Sequence, residues 1–311
     1  MNRTRWIVVS AVLAVALIAA GGLAGNSLGR YLGWGPVKRD PQELAVSLRE
    51  HYRVMKPDGD GPFPTGLLFS GCDGPKDNML RWAQMLNRNG WAAVIVDSHA
   101  PRNLQDHELW RLVCAGQMLF GSERAGDVLV ALGDARMLPF VDPGRIVLIG
   151  ASHGGWAIMD LLAMESVSDL PAGLSSHPQG ISPGAPLQGV IGQILVYPYC
   201  GIANQARVDG WSHPAPTLFL LAAEDSITPS RYCLDIVKLL EHRGLPVETM
   251  VFEGVNHGFD QQERSALSPL RFDPGVTQAA LERATAWLGA LPGDGAAPVS
   301  DVGRKSSRAL R

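Results

Sequence analysis

Charge is scarce in this chain, and neither sign prevails. Of 311 residues only 18% are Asp, Glu, Lys or Arg, and 27 basic against 30 acidic residues leave a net charge of −3. Without a basic surplus the chain has no electrostatic reason to gather phosphates, so nucleic acid is excluded as the expected partner. Cysteine is equally sparse, at four residues. No Cys-x-x-Cys or Cys/His spacing of zinc type occurs, so no structural metal is expected, and the pattern calls for no cofactor. No internal repeat is present. What remains is a chain 46% hydrophobic, with 35 Gly and 22 Pro, a composition for a sizeable core joined by many loops.

The N-terminus stands apart. Arg3 and Arg5 precede twenty residues without a charge, Trp6 to Gly25, a length that crosses a bilayer as a helix. Having no polar face, it does not read as a buried soluble helix. Its length favours an uncleaved anchor over a signal peptide, for which Gly22-Leu23-Ala24 supplies a cleavage site. Arg3, Arg5 and the amino terminus on one side are matched by Arg30, Lys38 and Arg39 on the other, so charge leaves the orientation open. An export-type N-terminus places the folded body on the extracytoplasmic side of the membrane, or free of it after cleavage. Cys72, Cys114, Cys200 and Cys233 then permit two disulfides in three connectivities, with four buried thiols as the alternative.

The expected organisation is a membrane segment over residues 1–25, a linker and N-terminal segment over 26–59, a catalytic body over 60–290 and a disordered tail over 291–311. Within the body, short apolar strands (65–70, 91–96, 145–149, 190–196, 217–221, 247–252) alternate with helices (78–89, 123–132, from near 156 to about 164, 230–242, 276–288). Continuous apolar strands alternating with helices predict an α/β fold, a mostly parallel sheet covered on both faces. The segment 165–189, rich in Ser, Pro and Gly, is too long for a plain connection and is read as a cover over the site; with residues 98–114 it would build the pocket.

The chemistry is announced by Gly150-Ala151-Ser152-His153-Gly154-Gly155. An apolar strand runs into a Gly-x-Ser-x-Gly turn and a helix follows, so Ser152 would be held at a sharp bend and the His153 amide would face a developing oxyanion. In an open parallel sheet functional groups gather at the carboxyl ends of strands. The strand over 217–221 leads to Asp225, and that over 247–252 to His257. Ser152, Asp225 and His257 thus follow three strands in the order Ser…Asp…His, which suits a nucleophile, an orienting carboxylate and a base whose intrinsic pKa lies near neutrality. Glu224 competes with Asp225, Asp260 is read as a contact to backbone near the His257 loop, and His153 as lining or packing at the pocket. Ser70-Gly71-Cys72-Asp73-Gly74 follows the first central strand, where a second oxyanion donor belongs, and the Cys72 amide is the candidate. Ser70, Asp97 and Arg102 are candidates to line the pocket, with a structural role as the alternative for Asp97.

Taken with Asp97-Ser98-His99-Ala100-Pro101-Arg102 and Asn256-His257-Gly258-Phe259-Asp260, these segments resemble the dienelactone hydrolase family of α/β-hydrolases, over residues 60–290. The resemblance implies an α/β-hydrolase fold, cofactor-free hydrolysis of a small ester or lactone, and Ser152, Asp225 and His257 as triad. The enzymes that name the family use a cysteine nucleophile, so this chain would be a serine member. The resemblance also implies Cys72–Cys114 and Cys200–Cys233 pairing. The triad alone does not separate an esterase from a peptidase or acyltransferase, and a non-catalytic ligand-binding member of the fold is the third reading. The sequence leaves the oligomeric state open.

Overall fold

The computed structural model describes residues 3–165, 170–264 and 268–291; most of the tail expected over 291–311 lies outside them. The elements in order are α1 (Arg3–Tyr31), α2 (Pro41–Arg49), β1 (Arg53–Met55), β2 (Phe63–Phe69), α3 (Asp77–Arg88), β3 (Ala92–Val96), α4 (Asp106–Glu108), α5 (Gly121–Ala135), β4 (Val141–Ala151), α6 (His153–Glu165), β5 (Val190–Val196), α7 (Ala206–Asp209), β6 (Thr217–Ala222), α8 (Arg231–His242), β7 (Val247–Phe252) and α9 (Pro274–Gly289). A π-helical turn, Leu109–Cys114, follows α4.

Seven strands form one sheet in the order β1-β3-β2-β4-β5-β6-β7. All neighbours run parallel except β1, which lies antiparallel on the edge against β3. The central strands are apolar throughout because both faces are covered. One face carries α2, α5, α6 and α8, with Leu67, Leu148, Leu195 and Phe219 pointing into that core. The other carries α3 and α9 over Leu68, Ile149, Ile194 and Leu220. The amphipathic reading of α3 holds, since Met79, Trp82, Met85 and Leu86 are buried.

Chain order reverses between β2 and β4, and such a switch leaves a crevice beyond the carboxyl ends of the two strands. The loop at 70–74 leaves β2 there, and Ser152 leaves β4 there.

Two features differ from the sequence reading. The apolar helix does not stop at Gly25: Asn26 to Tyr31, read as linker, are the last turns of α1. Residues 5–31 form the helix that, among those described, is long and apolar enough to cross a membrane. Residues 170–189 do not cover the crevice. Leu174 packs on α5 at Gly126, and the Arg136 guanidinium donates to the carbonyls of Gly180 and Pro186 (both 3.0 Å) and Gln188. The segment lies close on α5 where two glycines leave room: a Cβ on Gly126 would stand 2.9 Å from Leu174, and one on Gly133 2.4 Å from the Gln179 carbonyl oxygen.

Candidate active site

Ser152 sits at the bend between β4 and α6 with φ +50°, a left-handed conformation that costs a side-chain-bearing residue energy and is held by its surroundings. Gly150 and Gly154 make the bend possible. A Cβ on Gly150 would stand 2.5 Å from the Gly155 nitrogen, and one on Gly154 would stand 2.1 Å from the Phe69 carbonyl oxygen of β2. Only hydrogen fits at either place, so the strand, the helix and the neighbouring strand close tightly around the serine.

Three loops converge on it. The Ser152 hydroxyl lies 2.8 Å from His257 Nε2, and His257 Nδ1 lies 2.7 Å from Asp225 Oδ2. Asp225 is itself fixed: Oδ1 accepts from the amides of Ile227 (3.0 Å) and Thr228 (2.7 Å), and Oδ2 from the Thr228 hydroxyl (3.1 Å). Asn256 ties the loops of Asp225 and His257 together, its Oδ1 accepting from the amides of Ser226 (2.8 Å) and His257 (2.7 Å). Asp225 and His257 are buried, whereas Glu224 is exposed and points elsewhere.

The ring of Tyr197 meets His257 edge-on at 4.7 Å. Asp260 does not bind backbone with its carboxylate. It accepts from Trp82 Nε1 (2.7 Å), Asn78 Nδ2 (3.3 Å) and the Tyr197 hydroxyl. Burial pushes its carboxyl up and these three donors pull it back. Tyr197 adopts φ +34° directly after β5, a turn that the apolar run 190–196 gave no hint of.

Gly71 abuts the serine, a Cβ there falling 3.8 Å from Ser152 Cβ. The loop carrying the Cys72 amide therefore stands across from the hydroxyl, and the His153 amide opens α6 beside it. Cys72 is bonded to Cys114 (S–S 2.01 Å) and Cys200 to Cys233 (2.08 Å). The first bridge fastens the 70–74 loop to the turn Leu109–Cys114, and the second fastens the loop after β5 to α8. Closing loops of 42 and 33 residues stabilises the fold by about 3–4 kcal/mol each in the chain-entropy account. Replacing both Cys72 and Cys114 by serine is expected to lower the melting temperature and also to expose the 70–74 loop to proteolysis. The Cys200/Cys233 pair of replacements should lower the melting temperature without exposing that loop; thermal unfolding and limited proteolysis of the two variants check this.

Ser70, Asp97 and Arg102 do not line the cavity. They lie behind it, in a polar layer organised by Arg124 of α5, which is fully buried. Arg124 donates from Nε to Ser98 Oγ (3.0 Å) and from one terminal nitrogen to both the Ser70 carbonyl (2.8 Å) and His153 Nδ1 (2.9 Å). Burial pushes its pKa down to about 10, with Asp127 and Asp97 supporting the cation. Arg102 pairs with Asp127 through two bonds of 2.9 Å. Asp97 caps its own turn, Oδ1 accepting from the amides of His99 (2.8 Å) and Ala100 (3.1 Å). Burial raises the Asp97 carboxyl, but these bonds and the His99 ring outweigh it. His153 is neutral, since burial and the adjacent Arg124 hold its pKa well below the usual value. Its Nδ1 accepts from Arg124, which places the ring proton on Nε2.

The cavity over Ser152 measures about 530 Å³, within the range of small-molecule sites. Trp110, Val113, Phe120, Trp156 and Tyr199 give it apolar walls, and Asp73, Asn78 and Gln261 a polar corner. Asp73 accepts from Gln261 Nε2 at 2.7 Å, and burial raises its carboxyl pKa. The turn at 109–114 belongs to the wall, as the sequence suggested for residues 98–114. Asp73, Gln261 and Arg124 escaped the sequence reading. Asp73 lies inside a segment it singled out, and Arg124 had no local signal beyond one charge on an apolar helix.

Comparison with known proteins agrees with this architecture. The model of the dienelactone hydrolase family matches residues 52–291. An esterase of Thermogutta terrifontis with propionate bound superposes with a TM-score of 0.57 at 17% identity, over 76% of this chain and 88% of that one. A dienelactone hydrolase-like promiscuous phosphotriesterase from metagenomic libraries gives 0.53 at 14%, over 76% and 89%. Among curated proteins, the acylamino-acid-releasing enzyme of Arabidopsis thaliana is 24% identical over 165 residues, 46% of this chain but only 21% of that enzyme, so the match spans about a fifth of the relative. With its sheet order, its strand-to-helix bend at Ser152 and a family match over most of its length, the chain belongs to the dienelactone hydrolase family.

Proposed function

We propose that this protein is a serine hydrolase that cleaves a small carboxylic ester or lactone through an acyl-enzyme, its body tethered by α1 as a membrane anchor. The observation that carries the reading is the unbroken chain Asp225–His257–Ser152, with bonds of 2.7 and 2.8 Å, at the floor of an apolar cavity.

Ser152 Oγ attacks the carbonyl carbon while His257 Nε2 takes its proton, and Asp225 keeps the imidazole in the tautomer that can accept. The carbonyl oxygen, now negative, is held by the amides of Cys72 and His153. As the tetrahedral species collapses, His257 returns the proton to the departing alkoxide, which leaves as alcohol. Water then adds to the acyl-enzyme with His257 as base, and the carboxylic acid is released with Ser152 restored.

A fluorophosphonate probe tests this directly. Labelling is expected in the parent and absent in Ser152→Ala; a folded parent that resists the probe would favour the reading as a non-catalytic binding protein. The likeness to an acylamino-acid-releasing enzyme supports a second reading, release of an acylamino acid by the same triad. An ester panel of graded acyl length, run beside an N-acetylated amino-acid anilide, separates the two, and faster turnover of short esters favours the first.

A further inference from the structure

The last turns of α1 and the wall of the cavity are joined. Asn26 Nδ2 donates to the Gln117 carbonyl (2.7 Å), the Ser27 hydroxyl to the Gly116 carbonyl (2.7 Å), and Gln117 Nε2 back to Ser27 Oγ (2.9 Å). One turn further, Arg30 grips Glu123 of α5 through bonds of 2.7 and 2.9 Å, both side chains being well sheltered from water. Cys114, Ala115 and Gly116, which continue into this dock, line the cavity. The apolar run of α1 ends at Gly25, and Asn26 and Ser27, bonded to the segment that walls the cavity, follow it directly, within about 3 Å along the helix axis.

We infer that the cavity over Ser152 opens at the bilayer surface and takes uncharged, lipophilic esters dissolved in the membrane. The inference rests on the triad reading and names its substrate class. Twenty apolar residues at about 1.5 Å each span the hydrocarbon layer, and rigid docking of the next turn holds the body against that layer instead of letting it swing on a tether. Large apolar side chains stand exposed beyond α1 and at the cavity, with Lys38 and Arg39 next in the chain after the first of them. Trp34 and Val37, just beyond α1, are 82% and 79% exposed; Ile202, beside the lining residue Ala203, is 81% exposed; and Ile227 is both exposed and part of the lining. Tryptophan in such a place suits the headgroup boundary.

The charge of the cavity selects the substrate. Its lining holds no Lys or Arg among the described residues, and its carboxyl, Asp73, faces the same space. An ester bearing a carboxylate or phosphate would enter with no Lys or Arg among the lining residues to meet its charge, which is costly in an apolar site. A neutral ester with a long acyl chain meets aromatic walls instead, as a monoacylglycerol would.

The test uses the full chain reconstituted in phosphatidylcholine vesicles. A nitrobenzoxadiazole label on Ile202→Cys is expected to emit at shorter wavelength than the same label on Glu282→Cys, on α9 across the sheet; equal emission at the two positions overturns the inference. Ile202→Asp is expected to lower kcat/KM at least tenfold for p-nitrophenyl decanoate held in the vesicles, with the water-soluble acetate ester changed less than twofold. Parental rates on the vesicle-held ester, or a parent that prefers p-nitrophenyl hemisuccinate to the decanoate, also overturn it. Failure of the underlying triad reading looks different: the parent then leaves the acetate ester untouched and resists the fluorophosphonate probe.

Discussion

His257→Ala is expected to lower kcat/KM for a short ester by on the order of 10⁴–10⁶-fold, and Asp225→Asn by about 10⁴-fold, each with little change in KM. The first removes the group 2.8 Å from the Ser152 hydroxyl that would carry its proton. The second is the sharper probe. The substituted side chain would keep an acceptor oxygen for the amides of Ile227 and Thr228, so the turn survives. Its new amide nitrogen would face His257 Nδ1, driving the ring proton to Nε2, where the ring can no longer accept from Ser152. Because the three residues act as one unit, the double variant should be no slower than His257→Ala alone. Initial rates with matched melting curves check both claims. A His257→Ala enzyme within tenfold of the parent would exclude the proposed mechanism.

The strand-end rule led from sequence to Ser152, Asp225 and His257, which the fold brings together because a parallel sheet carries the carboxyl ends of its strands to one rim, whatever lies between them in the chain. The same rule does not place side chains: Ser70 and Arg102, read as lining, lie behind the cavity, and Asp97 takes the structural place that was its other reading. It locates where the backbone emerges, and side chains leaving that rim can turn up into the cavity or down behind it. Asp97 turns down because its oxygen closes a turn onto His99 and Ala100, and Arg102 because Asp127 lies below.

The central strands and α3 were legible from apolar runs and helical spacing. Strand β1 was not, being three residues long, with a burial pattern too weak to register. The last turns of α1 were hidden for another reason. Asn26, Ser27 and Gly29 are poor helix formers, and the bonds that hold the end of the helix come from residues about ninety positions away. The direction taken by residues 170–189 was likewise a tertiary matter, set by the room that Gly126 and Gly133 leave on α5.

Arg124→Met is expected to destabilise the protein by about 3–5 kcal/mol, because the Ser70 carbonyl and His153 Nδ1 would each lose a buried charged donor worth about 1–3 kcal/mol. The effect on catalysis should be separable. Arg124 touches no substrate-facing space; it grips the loop that carries the Cys72 amide and the ring of the residue that supplies the other proposed oxyanion donor. Loosening both donors at once is expected to lower kcat by roughly 10²–10³-fold, the loss typical of a missing oxyanion donor, while KM stays within a few-fold. Arg124→Lys keeps a cation but has one nitrogen where the guanidinium uses three, Nη2 also reaching the Ser70 hydroxyl at 3.4 Å, so it should recover stability better than kcat. Denaturant titration and kinetics well below the melting transition distinguish the outcomes. If Arg124→Met melted early but turned over at the parental rate, Arg124 would be a structural cation only, and the oxyanion loop would owe its position to the Cys72–Cys114 bridge.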